Sequence, residues 1–530
     1  MRRWNGWGDE SVTYPISPSA LSFLERLIGS STPPVDISME KVISSLPKPH
    51  LPRHRLISTD PQSRLLHARG QSFPDWVAIR CGKISAYPDG VAYPMCDEDV
   101  IDVLQFSHRS GTHLVPYGGG TSVCGHINPN KSKHPVLTVD MSRMNRLLDM
   151  DAQNLLATFE AGVLGPDLEA QLRAHGYTLG HYPQSFEYST LGGWISTRSS
   201  GQQSLGYGRI ESLFAGGRLV TPQGELTMPP FPASAAGPDL RQLVLGSEGR
   251  LGILTEAYVR ISAIPEREEF HAVFFPDFSN GITAIRQILA AGLHLSMLRL
   301  STAKETATTL ALAGHENLIG VLERLLAIRG LGKGKCMLLL GFSGRSSLVR
   351  TMRSDALDIA TKSGGVQVGK TFGEQWQKSR FHTPYLRNTL WALGYGVDTL
   401  ETATSWSNID QMVDQVESAI KSAAATYNEK VHIFTHLSHV YPTGSSIYTT
   451  YIFRLSEQPE ETLERWQVMK SAASKAILSL GGTISHHHGI GTEHLPYLST
   501  EKGLIGMAAL SALCRQFDPK GIMNPGKLVE

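Results

Sequence analysis

The chain has 530 residues, of which 41% are hydrophobic and 18% charged, and it contains 51 glycines. This is the composition of a globular protein, and the length is too great for one hydrophobic core, so we expect two to four domains. The formal net charge is +1, which is not the balance expected of a nucleic-acid-binding protein.

The cysteines and the apolar stretches indicate the cellular compartment of the protein and its relation to membranes. The five cysteines are scattered and form no CxxC pair, which favours a reducing compartment over a disulfide framework or a cysteine-based zinc site. The N-terminal sequence MRRWNGWGDE has no apolar signal core, and apolar stretches such as 505–514 are about half the length that spans a bilayer. We therefore expect a cytoplasmic protein that is at most peripheral to a membrane.

The first half of the chain reads as strands with occasional helices. Residues 1–90 are predicted to be a segment packed on the main body. Three acidic residues then open a helix at Asp97 and Gly111 ends it, because the helix dipole favours acidic groups at the start and glycine favours the end. Strands are predicted at 112–117, 135–141, 155–163 and 249–261, with a helix at 165–176 in which Pro166 fits the first turn and Gly176 the C-terminal cap. Residues 91–264 form one α+β domain in this interpretation.

From residue 265 onward the predicted elements are repeated units of a strand followed by a helix. They begin near residues 267, 336 and 446, and they indicate a second domain, an antiparallel sheet backed by helices, over residues 265–490. The Gly-rich stretch GLGKGK (330–335) leads into a strand, so it is predicted to be a loop and not a nucleotide-binding motif. Residues 491–530 are predicted to return to the first domain in short helices and turns.

A glycine loop, LVPYGGGTSV, carries the first chemical signal. Gly118, Gly119 and Gly120 follow a predicted strand, so their backbone N–H groups can converge on an anion, and Thr121 and Ser122 add hydroxyl donors. The loop is either a pyrophosphate cradle or an ordinary glycine-rich turn. Two further glycine loops, at 183–210 and 243–257, favour the cradle, because three such loops suit one long phosphate-bearing ligand.

Four segments together resemble the vanillyl-alcohol oxidase type of flavoprotein: VPYGGGTSV, TLGGWISTRSSG, GSEGRLGILTEA and DPKGIMNPGKL. Five others, RWNGWGDE, SMLRL, YLRN, TGSSIY and SHHHGIG, resemble its ether-lipid-forming branch. The resemblance covers nearly the whole chain. It implies a two-subdomain FAD-binding unit of the PCMH type with an α+β cap domain, and a homodimer.

The resemblance also implies which residues bind FAD. The pyrophosphate would contact Pro116, Tyr117, Gly118, Gly119, Gly120, Thr121, Ser122 and Val123. The flavin would contact Pro183, Ser185, Ser189, Thr190, Gly193, Ser196, Thr197, Arg198 and Ser199. The rest of the cofactor would contact Glu248, Gly252 and Ile253. Some relatives attach FAD covalently to a histidine of the first loop. Thr121 occupies that place here, so we expect non-covalent FAD, although Cys124 and His126 lie close by in sequence.

The implied reaction exchanges the acyl chain of acyl-dihydroxyacetone phosphate for a long-chain alcohol, with the flavin N5 as a transient electron sink and no net oxidation. Tyr448 is the expected proton carrier on condition that a neighbouring cation or the flavin lowers its pKa, and Arg387 is the expected phosphate or carboxylate fork. Arg299, flanked by apolar residues, is a further catalytic candidate or a structural ion pair. Core tyrosine and surface ion pair are the structural alternatives for Tyr448 and Arg387.

The histidine triplet admits three roles. His486, His487 and His488 would polarise the carbonyl and hold the phosphate or leaving group, bind metal with the nearby His494, or act as structural hydrogen-bonders. Strand geometry predicts His486 and His488 on one face and His487 on the other. Our site prediction contains no metal, and His436 and His439 are departures from the resemblance whose roles the sequence leaves open.

The competing function is an FAD-linked oxidase or dehydrogenase of a hydroxy acid or polyol phosphate. Relatives that oxidise 2-hydroxy acids often carry glycine and glutamate before the last histidine, where this chain has two histidines, so the resemblance favours the ether-lipid reaction. A chain that binds flavin without catalysis is a third possibility, against which the presence of every candidate side chain argues.

Overall fold

The computed structural model describes residues 2–312 and 316–529, with side chains in the second range described from residue 319 onward. The helices are α1 Pro18–Ile28, α2 Met39–Ser44, α3 Pro61–Leu66, α4 Phe73–Cys81, α5 Asp97–Ser110, α6 Gly165–Arg173, α7 Leu191–Thr197, α8 Ser204–Tyr207, α9 Ile210–Leu213, α10 Arg241–Val244, α11 Phe278–Ala290, α12 Ala303–Leu312, α13 Glu316–Ile328, α14 Ser346–Lys362, α15 Thr371–Ser379, α16 Leu386–Ala392, α17 Ile409–Ala425, α18 Pro459–Ser479 and α19 Leu495–Phe517. The strands are β1 Ile57–Ser58, β2 Gly90–Ala92, β3 His113–Tyr117, β4 Val136–Asp140, β5 Leu147–Asp151, β6 Leu156–Glu160, β7 Tyr177–Thr178, β8 Phe214–Thr221, β9 Gly224–Met228, β10 Ile253–Arg260, β11 Ser262–Ala263, β12 Arg267–Phe275, β13 Met297–Ser301, β14 Cys336–Gly344, β15 Val366–Gln367, β16 Tyr395–Ser405, β17 His432–Tyr441 and β18 Gly444–Arg454.

The first sheet carries the glycine loop at its edge. Its strand order is β1-β2-β4-β3, and β4 pairs in parallel with both β2 and β3. Every residue of β4 is buried, as expected for a parallel strand covered on both faces. Helix α5 ends at Gly111, which has a φ of 69°, and this left-handed cap turns the chain into β3 and so aims the end of β3 at the loop.

The second sheet is antiparallel, with strand order β5-β6-β10-β8-β9. Strand β10 has the predicted alternation, since Ile253, Thr255, Ala257 and Val259 are buried while Glu256 and Tyr258 are less so. The buried face packs on a core that includes Phe159, Leu191 and Trp194, so the segment that begins α7 is anchored to this sheet.

The third sheet has the order β15-β12-β14-β13-β17-β18-β16, with antiparallel pairing throughout the described strands. Helices α11, α14, α17 and α18 pack against one face, where the largest core cluster lies. Strand β12 begins close to the predicted boundary at residue 264. The predicted α+β class, with an antiparallel sheet backed by helices, is confirmed.

Both ends of the chain return to the body. The N–H of Trp7 donates to Asn388 Oδ1 at 3.0 Å, and Asn388 Nδ2 donates to the Trp7 carbonyl at 2.9 Å. Near the other end, the Leu114 N–H of β3 donates to the Ile522 carbonyl at 2.7 Å, and the Asn524 N–H donates to the Leu114 carbonyl at 2.7 Å. The RWNGWGDE and YLRN motifs are therefore in contact although about 380 residues separate them.

Three local predictions were wrong. The histidine triplet lies in a bend outside any strand. The last 40 residues contain the 23-residue α19, kinked at Gly503, where short helices were expected. The C-cap of α6 is Ala174, and Gly176 follows two residues later with a φ of 86°, because an extra turn separates the helix from β7. Among the described helices, none is both long and apolar enough to cross a bilayer.

Candidate active site

The glycine loop at the end of β3 is built to receive an anion. In the described part of the chain, none of the backbone N–H groups from Gly119 to Val123 donates a hydrogen bond to another protein group. Unpaired N–H groups in a loop that is only partly exposed are costly unless a ligand or water accepts from them. The loop therefore fits a pyrophosphate.

Close packing explains why the loop is glycine. A Cβ on Gly119 would lie 1.5 Å from the Tyr188 carbonyl oxygen, and one on Gly118 would lie 2.1 Å from Thr190 Oγ1. Thr190 in turn caps α7 by accepting from the Gly193 N–H at 3.3 Å. The first glycine loop and the predicted flavin-lining segment are thus a single packed unit.

The remaining predicted cofactor residues differ in burial. Pro183, Ser189, Ser199, Gly252 and Ile253 are buried, and Pro116, Ser185, Ser196 and Thr197 are partly exposed. Arg198 is engaged elsewhere, since its guanidinium donates to Glu211 Oε2 at 3.3 Å and to Gln242 Oε1 at 2.6 Å. The role of each as an FAD contact remains a prediction.

Glu248 makes hydrogen bonds within the protein, and its contact with FAD stays a prediction. Its carboxylate accepts from the backbone N–H groups of Ile490 and Gly491, the latter at 2.9 Å, and lies 3.3 Å from His126 Nε2. Asn524 Nδ2 donates to the carbonyls of both His126 and Glu248, at 3.0 and 2.7 Å. The side chain of Glu248 thus fixes the segment that follows the histidine triplet against the glycine loop.

The histidine triplet is organised by a buried carboxylate, Glu401 of β16. His486 Nδ1 lies 3.2 Å from Glu401 Oε1, and His487 Nδ1 lies 2.6 Å from Glu401 Oε2. The prediction that His486 and His487 point to opposite faces is wrong, because a bend lets both rings meet one carboxylate. Burial raises the pKa of Glu401, but His487 and His486 outweigh that effect and leave the pKa well below its usual value.

His488 and Tyr448 form the other side of the same cluster. The ring of Tyr448 stacks on His436 with centroids 5.0 Å apart, and it meets His488 edge to face at 6.0 Å. Burial raises the pKa of Tyr448 to about 12 and holds the pKa of His488 well below its usual value. In the protein alone the condition of a lowered Tyr448 pKa is not met, because desolvation exceeds the attraction of Arg387.

The two other predicted arginines differ in how they are paired. Arg299 Nη2 donates to Glu305 Oε1 at 2.6 Å and lies 3.3 Å from His436 Nδ1, so it is an ion pair next to the site. Arg387 lies over Trp76, with Cζ 4.3 Å from the ring centroid, and its Nη1 donates to the Gln71 carbonyl at 2.5 Å. Its Nη2 is buried with no hydrogen-bond partner among the described residues, which suits a phosphate or carboxylate.

The residues that could hold a metal ion differ from the set that the sequence suggested. Ligand atoms of Glu401, His439, His486 and His487 all lie within 4.8 Å of one another, whereas His494 is not a member of this group. Sequence analysis missed Glu401, and it also missed Arg209 and Tyr441, which contact His486. Leu400, Glu401 and Thr402 of β16 are all buried, so no alternation along this strand marked out Glu401.

A second cluster of buried charged groups is centred on Asp398 of β16 and Lys470 of α18. Asp398 accepts from Tyr451 Oη at 3.0 Å, Trp466 Nε1 at 2.7 Å and Lys470 Nζ at 3.0 Å. Glu493 Oε2 lies 3.8 Å from the same ammonium. A paired and hydrogen-bonded charge of this kind tolerates burial, whereas an isolated one would not.

Comparison with known proteins first defines the class. A family model described as "FAD binding domain" matches residues 88–228, and one described as "FAD linked oxidases, C-terminal domain" matches residues 264–528. Together they cover the first two glycine loops and the histidine triplet. The protein is thus an FAD-dependent flavoenzyme, and FAD is its cofactor.

The particular relatives are more specific. The chain is 30% identical to an alkyldihydroxyacetonephosphate synthase of Dictyostelium discoideum and 31% identical to one of Trypanosoma brucei brucei, over 99% of this chain and 93% and 92% of those proteins. A solved alkyldihydroxyacetonephosphate synthase superposes with a TM-score of 0.85 at 28% identity, over 99% of this chain and 98% of the other. The chain belongs to the alkyldihydroxyacetonephosphate synthase family of FAD-dependent enzymes.

Proposed function

We propose that this enzyme exchanges the acyl chain of acyl-dihydroxyacetone phosphate for a long-chain alcohol. The ester C–O bond breaks, an ether C–O bond forms, and a fatty acid leaves with the proton that the alcohol gives up. Bound FAD supplies an electron sink at N5 that is restored, so no net oxidation occurs. The observation that carries the proposal is the packing of Tyr448 against His488 of the histidine triplet, with Arg387 near enough to influence the pKa of Tyr448, in a family whose relatives are named for this synthesis.

Tyr448 and the histidines are assigned the proton transfers. With its pKa raised to about 12, Tyr448 holds its proton at neutral pH and can give it up only when a partner in the complex accepts it. Burial lowers the pKa of His486 and His488, so these imidazoles are neutral and can polarise the substrate carbonyl by hydrogen bonding.

Arg387 is assigned to an anionic end of the substrate. Its free Nη2 gives a charge-assisted hydrogen bond to a phosphate or carboxylate oxygen, and Trp76 holds the guanidinium plane in place. Arg299 is assigned a supporting role, in which its ion pair with Glu305 holds His436 against Tyr448.

The test is an anaerobic reaction of the holoenzyme with acyl-dihydroxyacetone phosphate and a labelled long-chain alcohol. Flavin absorbance and lipid products are followed together. Labelled ether with the oxidised flavin spectrum regained is the expected result. If no alcohol gives ether and a hydroxy acid or polyol phosphate bleaches the flavin instead, the enzyme is the oxidase or dehydrogenase.

We further propose that the enzyme meets its lipid substrates at an anionic membrane surface through the outer face of α13. Leu322 and Leu326 of this helix pack inward, while Val321, Leu325 and Ile328 are exposed, Ile328 by 80%. The exposed basic residues Arg324, Arg329 and Lys333 flank this apolar stripe, so the face is complementary to acidic lipid head groups.

Vesicle sedimentation tests this partner. We expect the protein to pellet with vesicles that contain phosphatidylserine, and less with neutral vesicles or after Leu325→Glu. Equal pelleting of wild type and variant would exclude the α13 face. Loss of a dimer on size exclusion after Leu325→Glu would assign the face to a second copy. The expected homodimer is tested in the same runs.

A further inference from the structure

A cavity of about 210 Å³ lies beside the histidine triplet, where α8 and the α9 end of the FAD-binding region face β13 and β17. Its polar wall includes Arg209, His439 and Tyr441, and its apolar wall includes Leu205, Leu298 and Val440. We call it the Arg209 cavity. A pocket for a drug-sized ligand is typically about 300–1,000 Å³, so this volume suits a head group.

Arg209 is held in place by the site itself. Its Nη1 donates to Tyr441 Oη at 3.4 Å and lies 3.3 Å from His486 Nε2. Its Nη2 donates to the carbonyls of Arg198 and His486, each at 3.1 Å. The Nε atom is buried and makes no hydrogen bond within the described residues, although Glu211 Oε1 lies 3.8 Å away.

The charge in this cavity is positive and comes from one group. Burial lowers the pKa of His439 and of His486 and raises the pKa of Tyr441, so all three are neutral near pH 7. Glu401 is engaged with His486 and His487, and the carboxylate of Glu211 is 30% exposed, so water screens it in part. A guanidinium with neutral donors around it is a favourable setting for an oxyanion.

We propose that the Arg209 cavity is an oxyanion subsite that binds the phosphate or the carboxylate of the substrate. The assignment rests on the proposed function for the class of ligand. The proposed reaction has two anionic groups, the phosphate and the departing fatty carboxylate. The site offers two arginines, Arg387 and Arg209, that each have one guanidinium nitrogen with no hydrogen-bond partner among the described residues. The apolar wall of Leu205, Leu298 and Val440 is suited to the carbon atoms next to the anion.

The experiment measures binding of two probes to the holoenzyme by isothermal titration calorimetry. The probes are dihydroxyacetone phosphate and decanoate, and the variants are Arg209→Gln and Arg209→Lys. Arg465→Gln is the matched control, because Arg465 is 15% exposed against 18% for Arg209 and is ion-paired away from the cavity. FAD content and Tm are measured for every variant.

We expect Arg209→Gln to weaken one probe by about tenfold or more and Arg209→Lys to restore part of the affinity, as loss of a charge-assisted hydrogen bond predicts. Loss of dihydroxyacetone phosphate binding assigns the subsite to phosphate, and loss of decanoate binding assigns it to carboxylate. Wild-type affinity of Arg209→Gln for both probes, or no binding of either probe to the wild type, overturns the proposal.

Failure of the subsite proposal and failure of the synthase function give different experimental results. If Arg209→Gln loses FAD, Arg209→Lys and Tyr441→Phe carry the test, and unchanged affinities in both variants overturn the proposal. If probe binding depends on Arg209 but no ether forms in the anaerobic reaction, the subsite stands and the synthase function falls. If ether forms but probe binding does not depend on Arg209, the subsite proposal falls and the synthase function stands.

Discussion

Tyr448 is a buried tyrosine whose ring lies against two histidines. Its ring is fixed between His436 and His488, and its strand β18 pairs along its length with β16. We expect Tyr448→Phe to lower kcat by about 10²–10⁴-fold, the usual contribution of a general acid or base, while FAD content and Tm stay near wild type. Steady-state kinetics and absorbance spectra check this.

Tyr395→Phe is the control for a lost buried hydroxyl, because Tyr395 Oη donates to the Gly29 carbonyl at 2.9 Å away from the cluster. Equal kinetics of Tyr448→Phe and wild type would remove Tyr448 from the proton transfers.

Glu401 is a positioning residue in the proposed mechanism, since it acts through His486 and His487. Replacing it by Gln removes the negative charge that favours the imidazolium form of His486, so the pKa of His486 falls. We expect Glu401→Gln to lower kcat more than tenfold and to move the acid limb of the pH profile to lower pH. Glu429→Gln, which also breaks a buried ion pair, should leave the profile where it is; an unmoved limb in Glu401→Gln would contradict the assignment.

At the scale of elements, we expect the join between the β3 loop and the start of α7 to decide whether the cofactor binds. A Cβ on Gly119 meets the Tyr188 carbonyl oxygen at 1.5 Å, so Gly119→Ala must displace backbone. We expect loss of most bound FAD, because the N–H groups of the loop then no longer converge. The flavin-to-protein absorbance ratio measures this.

Gly332→Ala is the matched control, since a Cβ there meets nothing within 4 Å. A Gly119→Ala protein with full FAD content would show that the loop does not hold the cofactor. The same packing explains why the sequence motif is three glycines in succession and not one.

At the scale of the whole molecule, buried neutral histidines make stability depend on pH. Burial lowers the pKa of His181 and of His494 to about 3 and that of His432 to about 4. Below about pH 6.5 the unfolded chain binds protons that the folded protein does not, so the free energy of unfolding decreases as pH falls from about 6.5 towards 4. Glu401, with its lowered pKa, adds to the same trend, while Glu493, whose pKa burial raises, opposes it.

Urea unfolding at several pH values between 7 and 4 measures this dependence. We expect a shallower decrease for His432→Gln, because that ring is buried outside the histidine triplet and hydrogen-bonds Thr308 Oγ1 at 2.9 Å. A free energy of unfolding that is constant from pH 7 to 4 would contradict the prediction.

Local sequence determined the elements and the cofactor loop of this protein. The acidic start and Gly111 end of α5, the alternation of β10 and the glycines after β3 are short-range signals, because capping, strand periodicity and backbone freedom each depend on a few neighbouring residues. The resemblance of the quoted motifs supplied the class of enzyme. The length of α19 escaped prediction because the helix continues, with a kink, through Gly503, a residue type that often ends helices.

Tertiary structure alone decided which side chains meet. Glu401 reaches the histidine triplet from more than 80 residues away, and Arg209 reaches His486 across 277 residues. The RWNGWGDE motif meets YLRN in the same way. Glu401 contacts His486 and His487, and Glu248 accepts from the N–H groups of Ile490 and Gly491 just after them, so both carboxylates hold this bend outside the strand that its local pattern suggested. Contacts at such sequence separations leave no local periodicity, so pKa values and partners in the active site follow from the packing of the two domains.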